Sequence, residues 1–239
     1  MHLNINENGT TMRIGPSQSG EGMRSQSATM NRLRQAGVIA ILRGQNPARM
    51  FQRGIDLAEI GYTAIEVTLD SKNALETIEN LRSALDESIL IGAGTVLNPQ
   101  QIESCAKAGV AFALSPIFPD GMIEECHLNN IVAIPGVSNI AELRIAQNAG
   151  AEIVKLFPST AWTLEQLEGV EIPWIPVGGI EYDSIGPWFE AGAWCIGMGA
   201  NLCGSDLSQE GEGHPDWVRV EAQLARDIFM ELQRRHNTT

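Results

Sequence analysis

The chain has 239 residues, of which 44% are hydrophobic and 19% charged, so it is long enough for one large domain and too apolar for a disordered protein. Its net charge of −13 repels nucleic-acid phosphates and anionic membranes, so neither is expected as a partner. No apolar run approaches the roughly 20 residues of a membrane-spanning helix. Because the acidic surface also repels anionic substrates, any anion site must be local and built from a few cations and backbone amides.

Residues 1–28 are polar and predict a disordered leader before one domain that spans residues 29–239.

None of the cysteines forms a C-x2-C pair, which favours reduced core thiols in a cytoplasmic protein. These cysteines are Cys105, Cys126, Cys195 and Cys203. The histidines lack metal-ligand spacing, so we expect no metal and no cofactor.

From about residue 29 a repeating unit runs along the chain. A helical segment ends in a Gly, which supplies a left-handed cap, and a short apolar strand follows. The caps are Ala36-Gly37, Ile60-Gly61, Ala108-Gly109, Ala149-Gly150 and Ala191-Gly192. The predicted strands are VIAILR, AIEVTLD, ILIGAGT, VAFALSP, IVAIP, EIVKLFP, WIPVGG and WCIGMG, which end at Arg43, Asp70, Thr95, Pro116, Pro135, Pro158, Gly179 and Gly199. Their ends lie roughly 20–27 residues apart, a spacing typical of βα units.

Helices are predicted between these strands. Residues 47–60 and 99–108 have apolar residues at helical spacing, Ser138-Asn139 precedes an acidic first turn, and a last helix is predicted at about 217–235. Eight strands alternating with helices predict an α/β fold, a parallel eight-stranded (β/α)8 TIM barrel. The alternative is an open doubly wound sheet, although no G-x-G-x-x-G fingerprint follows the first strand.

Lys155 is the first candidate for a catalytic residue, because catalytic groups of such barrels lie at the carboxyl-terminal ends of strands. Period-2 alternation places it on one strand face with Ile153 and Phe157. Burial lowers the pKa of an amine, and a neutral amine can attack a ketone. Lys155 could instead be a structural lysine that reaches out of the barrel mouth or pairs with a carboxylate.

Glu66 is the second candidate and shares a strand face with Ala64 and Thr68. A buried carboxylate needs a proton or a cation, and beside an amine nucleophile it can transfer protons to and from reaction intermediates. A structural Glu–Lys pair would explain its position equally well.

Arg43 and Thr95 end the first and third predicted strands. A guanidinium at a barrel mouth can bind a carboxylate bidentately and, by like-charge repulsion, keep Lys155 neutral. It could also be a solvated rim residue. Thr95 offers a hydroxyl and an amide after Gly92-Ala93-Gly94, and a tight turn alone would explain those glycines.

Glycines also end the last two predicted strands, as Gly178-Gly179 and as Gly197-x-Gly199 before Ala200. Barrels often bind phosphate with the backbone amides of these two loops. No Lys or Arg lies near either loop in the sequence. A phosphate site here would therefore depend on amide donors.

Together these residues resemble the family of 2-keto-3-deoxy-6-phosphogluconate (KDPG) and 2-keto-3-deoxy-6-phosphogalactonate (KDPGal) aldolases, from about residue 37 to residue 202. Seven short motifs carry the resemblance in the right order and at barrel spacing. They are AILRG at 40–44, IEVTL at 65–69, IGAGTVL at 91–97, SP at 115–116, IPG at 134–136, KLFP at 155–158 and VGGI at 177–180.

The resemblance implies a homotrimeric class I aldolase that cleaves a phosphorylated 2-keto-3-deoxy sugar acid to pyruvate and glyceraldehyde 3-phosphate. It makes Lys155 the Schiff-base lysine, Glu66 the general acid/base, and Thr95 a contact of the pyruvyl carboxylate. It assigns phosphate binding to Gly178, Gly179, Gly199 and Ala200, and the shape of the pocket to Thr68, Pro116, Pro135, Phe157 and Val177.

The chain departs from the gluconate-type pattern, which usually has an Arg where this chain has Asp70-Ser71. Arg43 could then bind the carboxylate, as in galactonate-type enzymes, and Val177 also matches that type. The last glycine loop lacks the Ser often found there, so the sugar stereochemistry stays open. Some similar enzymes cleave 4-hydroxy-2-oxoglutarate, which has no phosphate.

Two other classes share part of this pattern. A barrel sugar-phosphate epimerase or synthase would have the glycine loops without needing a lysine inside a strand. A non-catalytic sugar-phosphate binder would form no reducible imine with its ligand.

Overall fold

A computed structural model of the chain describes residues 20–205, 207–209, 227, 228 and 230, with side chains from residue 26 onwards. The first 19 residues of the expected leader lie outside this part, and so does nearly all of the helix expected at 217–235. No helix in the described part is both long and apolar enough to cross a membrane.

Helices and strands alternate along the described chain. The helices are α1 (Gly20–Ala36), α2 (Pro47–Ile60), α3 (Ala74–Ala84), α4 (Gln100–Lys107), α5 (Met122–Leu128), α6 (Ile140–Asn148), α7 (Ile185–Glu190) and α8 (Ala200–Cys203). The strands are β1 (Val38–Leu42), β2 (Ala64–Thr68), β3 (Leu90–Gly94), β4 (Phe112–Leu114), β5 (Val132–Ile134), β6 (Gly136–Val137), β7 (Val154–Leu156), β8 (Trp174–Pro176) and β9 (Ile196–Met198). Short 3-10 helices cover Ser159–Ala161, Leu164–Leu167 and Tyr182–Ser184.

The strands pair in parallel and form a curled, barrel-like α/β arrangement. One sheet has the order β5-β4-β3-β2-β1-β9, and a second has the order β6-β7-β8. A parallel bridge between Val177 and Gly197 connects the end of β8 to β9. Because strands that follow one another in the chain are neighbours and β1 pairs with β9, the reversed strand order of an open doubly wound sheet is absent from the described residues.

Each predicted strand segment contains an observed strand, and most strands end one to three residues earlier than predicted. Residues near these ends interrupt the hydrogen-bond ladder between the strands. Pro and Gly lie at most of the ends, and Thr95 has a φ of 56°. The fifth predicted strand is observed as β5 and ends before Pro135, which has no N–H to donate, whereas the two-residue β6 after Pro135 was not predicted.

The helix boundaries follow the predicted capping residues. All five glycines predicted to end helices have positive φ, from 68° at Gly37 to 122° at Gly61. The side chain of Asn139 accepts a hydrogen bond from the amide of Glu142 at the start of α6, where the acidic first turn was predicted.

The disordered leader was expected to extend to residue 28, but helix α1 already begins at Gly20. Gln26, Met30 and Leu33 are buried at helical spacing, and Gln26 Nε2 donates to the carbonyl of Ile131 at 3.1 Å. With a polar residue in this stripe, the sequence offered little apolar periodicity from which to predict the helix.

Two hydrophobic clusters cover the two faces of the sheet. The interior cluster includes Ile39, Ile41, Ala64, Leu114, Ile134, Ile153, Ile175 and Val177, and it also takes in Met30 and Leu33 of α1. The outer cluster joins the helices to Val38, Ala40, Leu42, Ile65, Val67, Val154 and Leu156. The four cysteines are buried free thiols, which confirms that they are core residues.

Candidate active site

Lys155 lies on the interior face of β7. Its neighbours Val154 and Leu156 belong to the outer cluster, whereas Ile153 and Phe157 face the interior cluster. The predicted alternation is therefore confirmed. Lys155 is only 4% exposed, so its side chain does not reach out into solvent.

The amine of Lys155 lies over an aromatic ring, with Nζ 4.5 Å from the ring centroid of Phe157. Burial lowers the pKa of Lys155, the Glu66 carboxylate opposes this shift, and the positive charge of Arg43 adds to it. The net effect lowers the pKa of Lys155 below its ordinary value, which favours the neutral amine. Lys155 is thus shifted toward the form that can act as a nucleophile.

Glu66 lies inside the barrel on β2, 1% exposed. Burial raises the pKa of its carboxyl, Lys155 and Arg43 oppose that shift, and Asp70 adds to it. Glu66 Oε2 is buried and has no hydrogen-bond partner among the described residues. The ion pairs between described residues do not include one between Glu66 and Lys155. Because buried polar atoms are normally satisfied, the free oxygen marks a place for a proton, a water or a ligand.

Gly94 of β3 makes room for the carboxylate. A Cβ at this position would lie 1.6 Å from Glu66 Oε1 and 2.4 Å from Glu66 Cδ. The need for glycine at position 94 of the Gly92-Ala93-Gly94 motif therefore has a structural reason that the sequence did not show. Its absent side chain provides the space that the buried carboxylate occupies.

Arg43 lies just beyond β1, between Thr95 and Asp70. Its Nη2 donates to Thr95 Oγ1 at 3.0 Å, and its Nη1 lies 3.3 Å from Asp70 Oδ2. The side chains of Arg43 and Asp70 are 58% and 45% exposed. The structure therefore brings together two residues predicted to bind a carboxylate, at a guanidinium that is open to solvent.

Thr68, predicted to line the pocket, is fully buried, and its hydroxyl pairs with the Ser71 hydroxyl at 2.9 Å. Ser71 Oγ also accepts the amide of Gly44 at 3.1 Å. These bonds tie the segment after β1 to the segment after β2. Arg43 and Asp70 therefore lie on adjacent segments that are hydrogen-bonded to each other.

The other predicted pocket residues lie at the same ends of their strands. Pro116 follows β4 and is half-buried, whereas Pro135 is buried between β5 and β6. Phe157 is half-buried beside Lys155, and Val177 is buried in the interior cluster. The four residues that the family resemblance assigned to the pocket therefore lie toward the end of the barrel that carries Lys155.

The glycines predicted to bind phosphate form two loops after β8 and β9. Gly178 and Gly179 have φ of 88° and 82°. Gly199 precedes α8, and Ala200 is its first residue. Asn201 Nδ2 donates to the Ile180 carbonyl at 3.0 Å and so connects the two loops.

Three residues with contacts in this region had no predicted role. Asp70 pairs with Arg43, Ser71 links two loops, and Ser159 Oγ donates to the carbonyl of Gly178 at 2.5 Å. Ser71 and Ser159 stand beside recognised motifs, but a loop serine has no sequence signal that separates a buried hydroxyl from a solvated one.

The chain is similar in sequence and in structure to proteins of known family. The KDPG and KHG aldolase family model matches residues 29–222. The 2-dehydro-3-deoxy-6-phosphogalactonate aldolase of Escherichia coli (strain K12) is 30% identical over 181 residues, which cover 73% of this chain and 86% of that protein. The KHG/KDPG aldolase of the same strain is 32% identical over 174 residues, covering 70% and 78%. A native KDPGal structure superposes with a TM-score of 0.71 at 27% identity, covering 84% of this chain and 96% of the other.

The site geometry and these similarities agree. The family match extends over most of the chain, and the relatives are aligned over most of their own length. The chain therefore belongs to the KDPG and KHG aldolase family and is a class I aldolase, a lyase, of that family.

Proposed function

We propose that this aldolase cleaves a 2-keto-3-deoxy-6-phospho sugar acid, of the phosphogluconate or phosphogalactonate type, to pyruvate and glyceraldehyde 3-phosphate through a Schiff base on Lys155. The observation that carries the proposal is the lysine inside the barrel, 4% exposed on β7, which shares the interior with an unpartnered Glu66 oxygen. Burying an amine or a carboxyl in an apolar core is unfavourable, and no structural role for either group is evident.

The proposed cycle begins when the neutral Lys155 amine attacks the C2 carbonyl carbon. Glu66, acting through water, transfers the amine proton to the oxygen to give a carbinolamine. Protonated Glu66 then donates a second proton to that hydroxyl, water leaves, and a cationic imine and the Glu66 carboxylate remain. A base, for which we propose Glu66 through water, takes the proton of the C4 hydroxyl. The C3–C4 bond then breaks, its electron pair moves into the imine to form an enamine, and the aldehyde leaves. Protonation at C3 and hydrolysis release pyruvate and restore the amine.

The shifted pKa values support these roles. Burial moves Lys155 toward the neutral nucleophile and Glu66 toward the protonated acid. A group whose pKa is moved toward the working pH transfers protons in both directions with less cost. The cationic imine polarises the substrate, so the chemistry requires no metal or cofactor.

Arg43 and Thr95 are proposed to hold the substrate carboxylate, because their side chains already meet at 3.0 Å beside a solvent-open guanidinium. Asp70 orients Arg43 from the other side. Gly178, Gly179, Gly199 and Ala200 are proposed to bind the phosphate, and Thr68, Pro116, Pro135, Phe157 and Val177 to shape the pocket. Fixing both ends of the substrate would place C2 beside the amine.

We propose the phosphorylated sugar acids as the first candidates for the preferred substrate. One relative is named a phosphogalactonate aldolase and another a KHG/KDPG aldolase, so 4-hydroxy-2-oxoglutarate is the second candidate. A barrel epimerase or synthase is less well supported, because its chemistry gives no reason for Lys155 to lie inside the barrel.

We further propose that residues 29–239 form one domain in which β5 and β6 act as one strand, so that the sheet closes as an eight-stranded barrel. The Val177–Gly197 bridge and the single residue between β5 and β6 support closure. A homotrimer in the cytoplasm is the assembly and location that the family resemblance favours.

Cleavage assays on the two epimeric phosphorylated acids and on 4-hydroxy-2-oxoglutarate, with pyruvate as the measured product, test this function. We expect release of pyruvate from at least one of them, and a loss of far more than about 100-fold in Lys155→Ala. Full activity in that variant would reject Lys155 as the nucleophile.

A further inference from the structure

The loops after β7 and β8 pack closely against each other. Ser159 is 2% exposed, and its amide donates to the carbonyl of Val177 at 2.8 Å. Its hydroxyl donates to the carbonyl of Gly178 at 2.5 Å. A Cβ at Gly179 would lie 2.7 Å from Thr160 Cγ2, so a side chain there would displace the neighbouring loop.

The Ser159 hydroxyl sets the direction of the peptide between Gly178 and Gly179. In a planar trans peptide the C=O and N–H groups point in opposite directions. The Gly178 carbonyl is turned into the protein toward Ser159, so the Gly179 N–H is turned outward. Gly179 is exposed, and the backbone hydrogen bonds between described residues include none donated by its amide.

A peptide between two glycines is easily turned over. Both residues have positive φ, and glycine adopts positive and negative φ with similar ease. After a flip, the carbonyl oxygen of Gly178 would face outward where the Gly179 amide now does. That oxygen would repel an anion, whereas the amide attracts it.

Backbone amides matter here because the stretch of chain that carries both glycine loops has no Lys or Arg of its own. Arg53 of α2 meets this stretch at Cys203, the last residue of α8, where its guanidinium donates to the carbonyl. Residues 156–204 contain no Lys or Arg, and the whole chain carries a net charge of −13. The Ile180 carbonyl is also turned toward protein, by Asn201 Nδ2 at 3.0 Å. The loop thus directs two carbonyls inward and keeps an amide outward, the arrangement that binds anions through backbone donors.

We propose that Ser159 is a positioning residue that locks the 178–179 peptide with its N–H toward the substrate phosphate. This inference rests on the proposed function, in which Gly178 and Gly179 bind that phosphate. Ser159 acts through the peptide and does not itself contact the substrate.

The test compares aldehydes with and without phosphate in the condensation with pyruvate. In Ser159→Ala, kcat/KM for glyceraldehyde 3-phosphate is expected to fall roughly tenfold, the usual effect of losing one hydrogen bond to a charged group. For glyceraldehyde it should stay within about twofold. Ser159→Cys, nearly isosteric but a weak donor, should change selectivity in the same direction.

Thr77→Ala is the matched control, because Thr77 of α3 is another residue with a buried hydroxyl that donates to a backbone carbonyl, that of Asn73 just before α3, at 3.0 Å. It should leave the preference for the phosphorylated aldehyde unchanged. Equal losses for both aldehydes in the Ser159 variants, or no loss for either, would overturn the proposal.

Binding of inorganic phosphate, followed by calorimetry, separates this inference from the proposed chemistry. Ser159→Ala should bind phosphate roughly tenfold more weakly than the unmodified protein even where no imine forms with pyruvate. Equal phosphate affinity would reject the lock, whereas failure to trap pyruvate would reject the Schiff base alone.

Discussion

A lysine that is 4% exposed inside an apolar barrel reduces stability, because burial opposes its charged form. Replacing Lys155 by Met keeps a side chain of similar length and removes the amine. We expect this variant to lose turnover and to be more stable by about 1 kcal/mol, as often happens when an active-site group is replaced by an apolar one. Urea denaturation measures the change.

The matched control for this prediction is Lys107→Met. Lys107 is exposed on α4 and pairs with Glu103 at 2.7 Å, so its removal should alter stability by less than about 0.5 kcal/mol and leave turnover unchanged. A Lys155→Met protein less stable than the unmodified one would show that the amine contributes to folding.

Glu66→Gln should slow turnover by about 10²–10⁴-fold through the loss of proton transfer. It should also shift the pH dependence of imine formation. The Glu66 carboxylate raises the pKa of Lys155, so a neutral Gln lets that pKa fall further and moves the acid limb to lower pH. The rate of pyruvate trapping by borohydride, measured against pH, checks the sign, and a shift to higher pH would contradict it.

At the level of these side chains, the sequence predicted Lys155 and Glu66 because strand alternation assigns a face to each residue. The same rule could not predict that Gly94 makes room for the Glu66 carboxylate. Nor could it place Ser159 or Asp70, whose contacts depend on how two loops approach each other across the barrel end.

Three neighbouring strand ends meet at Arg43, which joins Thr95 after β3 and Asp70 after β2. Arg43→Ala should raise the KM for the keto acid by about tenfold, since a charge-assisted bond is lost. Because Arg43 lowers the pKa of Lys155, its removal raises that pKa and moves the acid limb of imine formation to higher pH, opposite to Glu66→Gln.

Asp70→Asn provides the comparison for Arg43→Ala. The pair between Asp70 and Arg43 is exposed and contributes little by itself, so we expect a change in KM of less than about fivefold. If Arg43→Ala bound pyruvate as tightly as the unmodified enzyme, Arg43 would have no part in the site.

The contact between β2 and β3 can be tested at Gly94. A Cβ there would overlap Glu66 Oε1, so Gly94→Ala should destabilise the protein by about 1–3 kcal/mol and reduce turnover. In a Glu66→Ala background the same substitution should cost less, because the carboxylate is gone. Additive effects in this double-mutant cycle would show that the two sites do not interact.

Strand segments and helix caps were predictable because glycines and prolines mark their ends. The division between β5 and β6 follows from Pro135 but could not be told from a strand end by sequence alone. Helix α1 was not predicted from Gly20, since its buried stripe includes the polar Gln26 and its packing partners lie in the barrel interior.

Across the whole molecule, the barrel-like sheet brings distant parts of the chain to one end. The amine on β7, the carboxyl on β2, the guanidinium after β1 and the glycine loops after β8 and β9 all follow from parallel strands whose carboxyl-terminal ends point the same way. The family predicted from seven short motifs is confirmed by the match over residues 29–222.

The measurement closest to the central claim is borohydride reduction in the presence of pyruvate, followed by peptide mapping. We predict one reduced pyruvyl adduct per chain, located on Lys155 and absent from Lys155→Ala. Cleavage activity without any adduct, or an adduct on Lys72 or Lys107 in place of Lys155, would contradict the account.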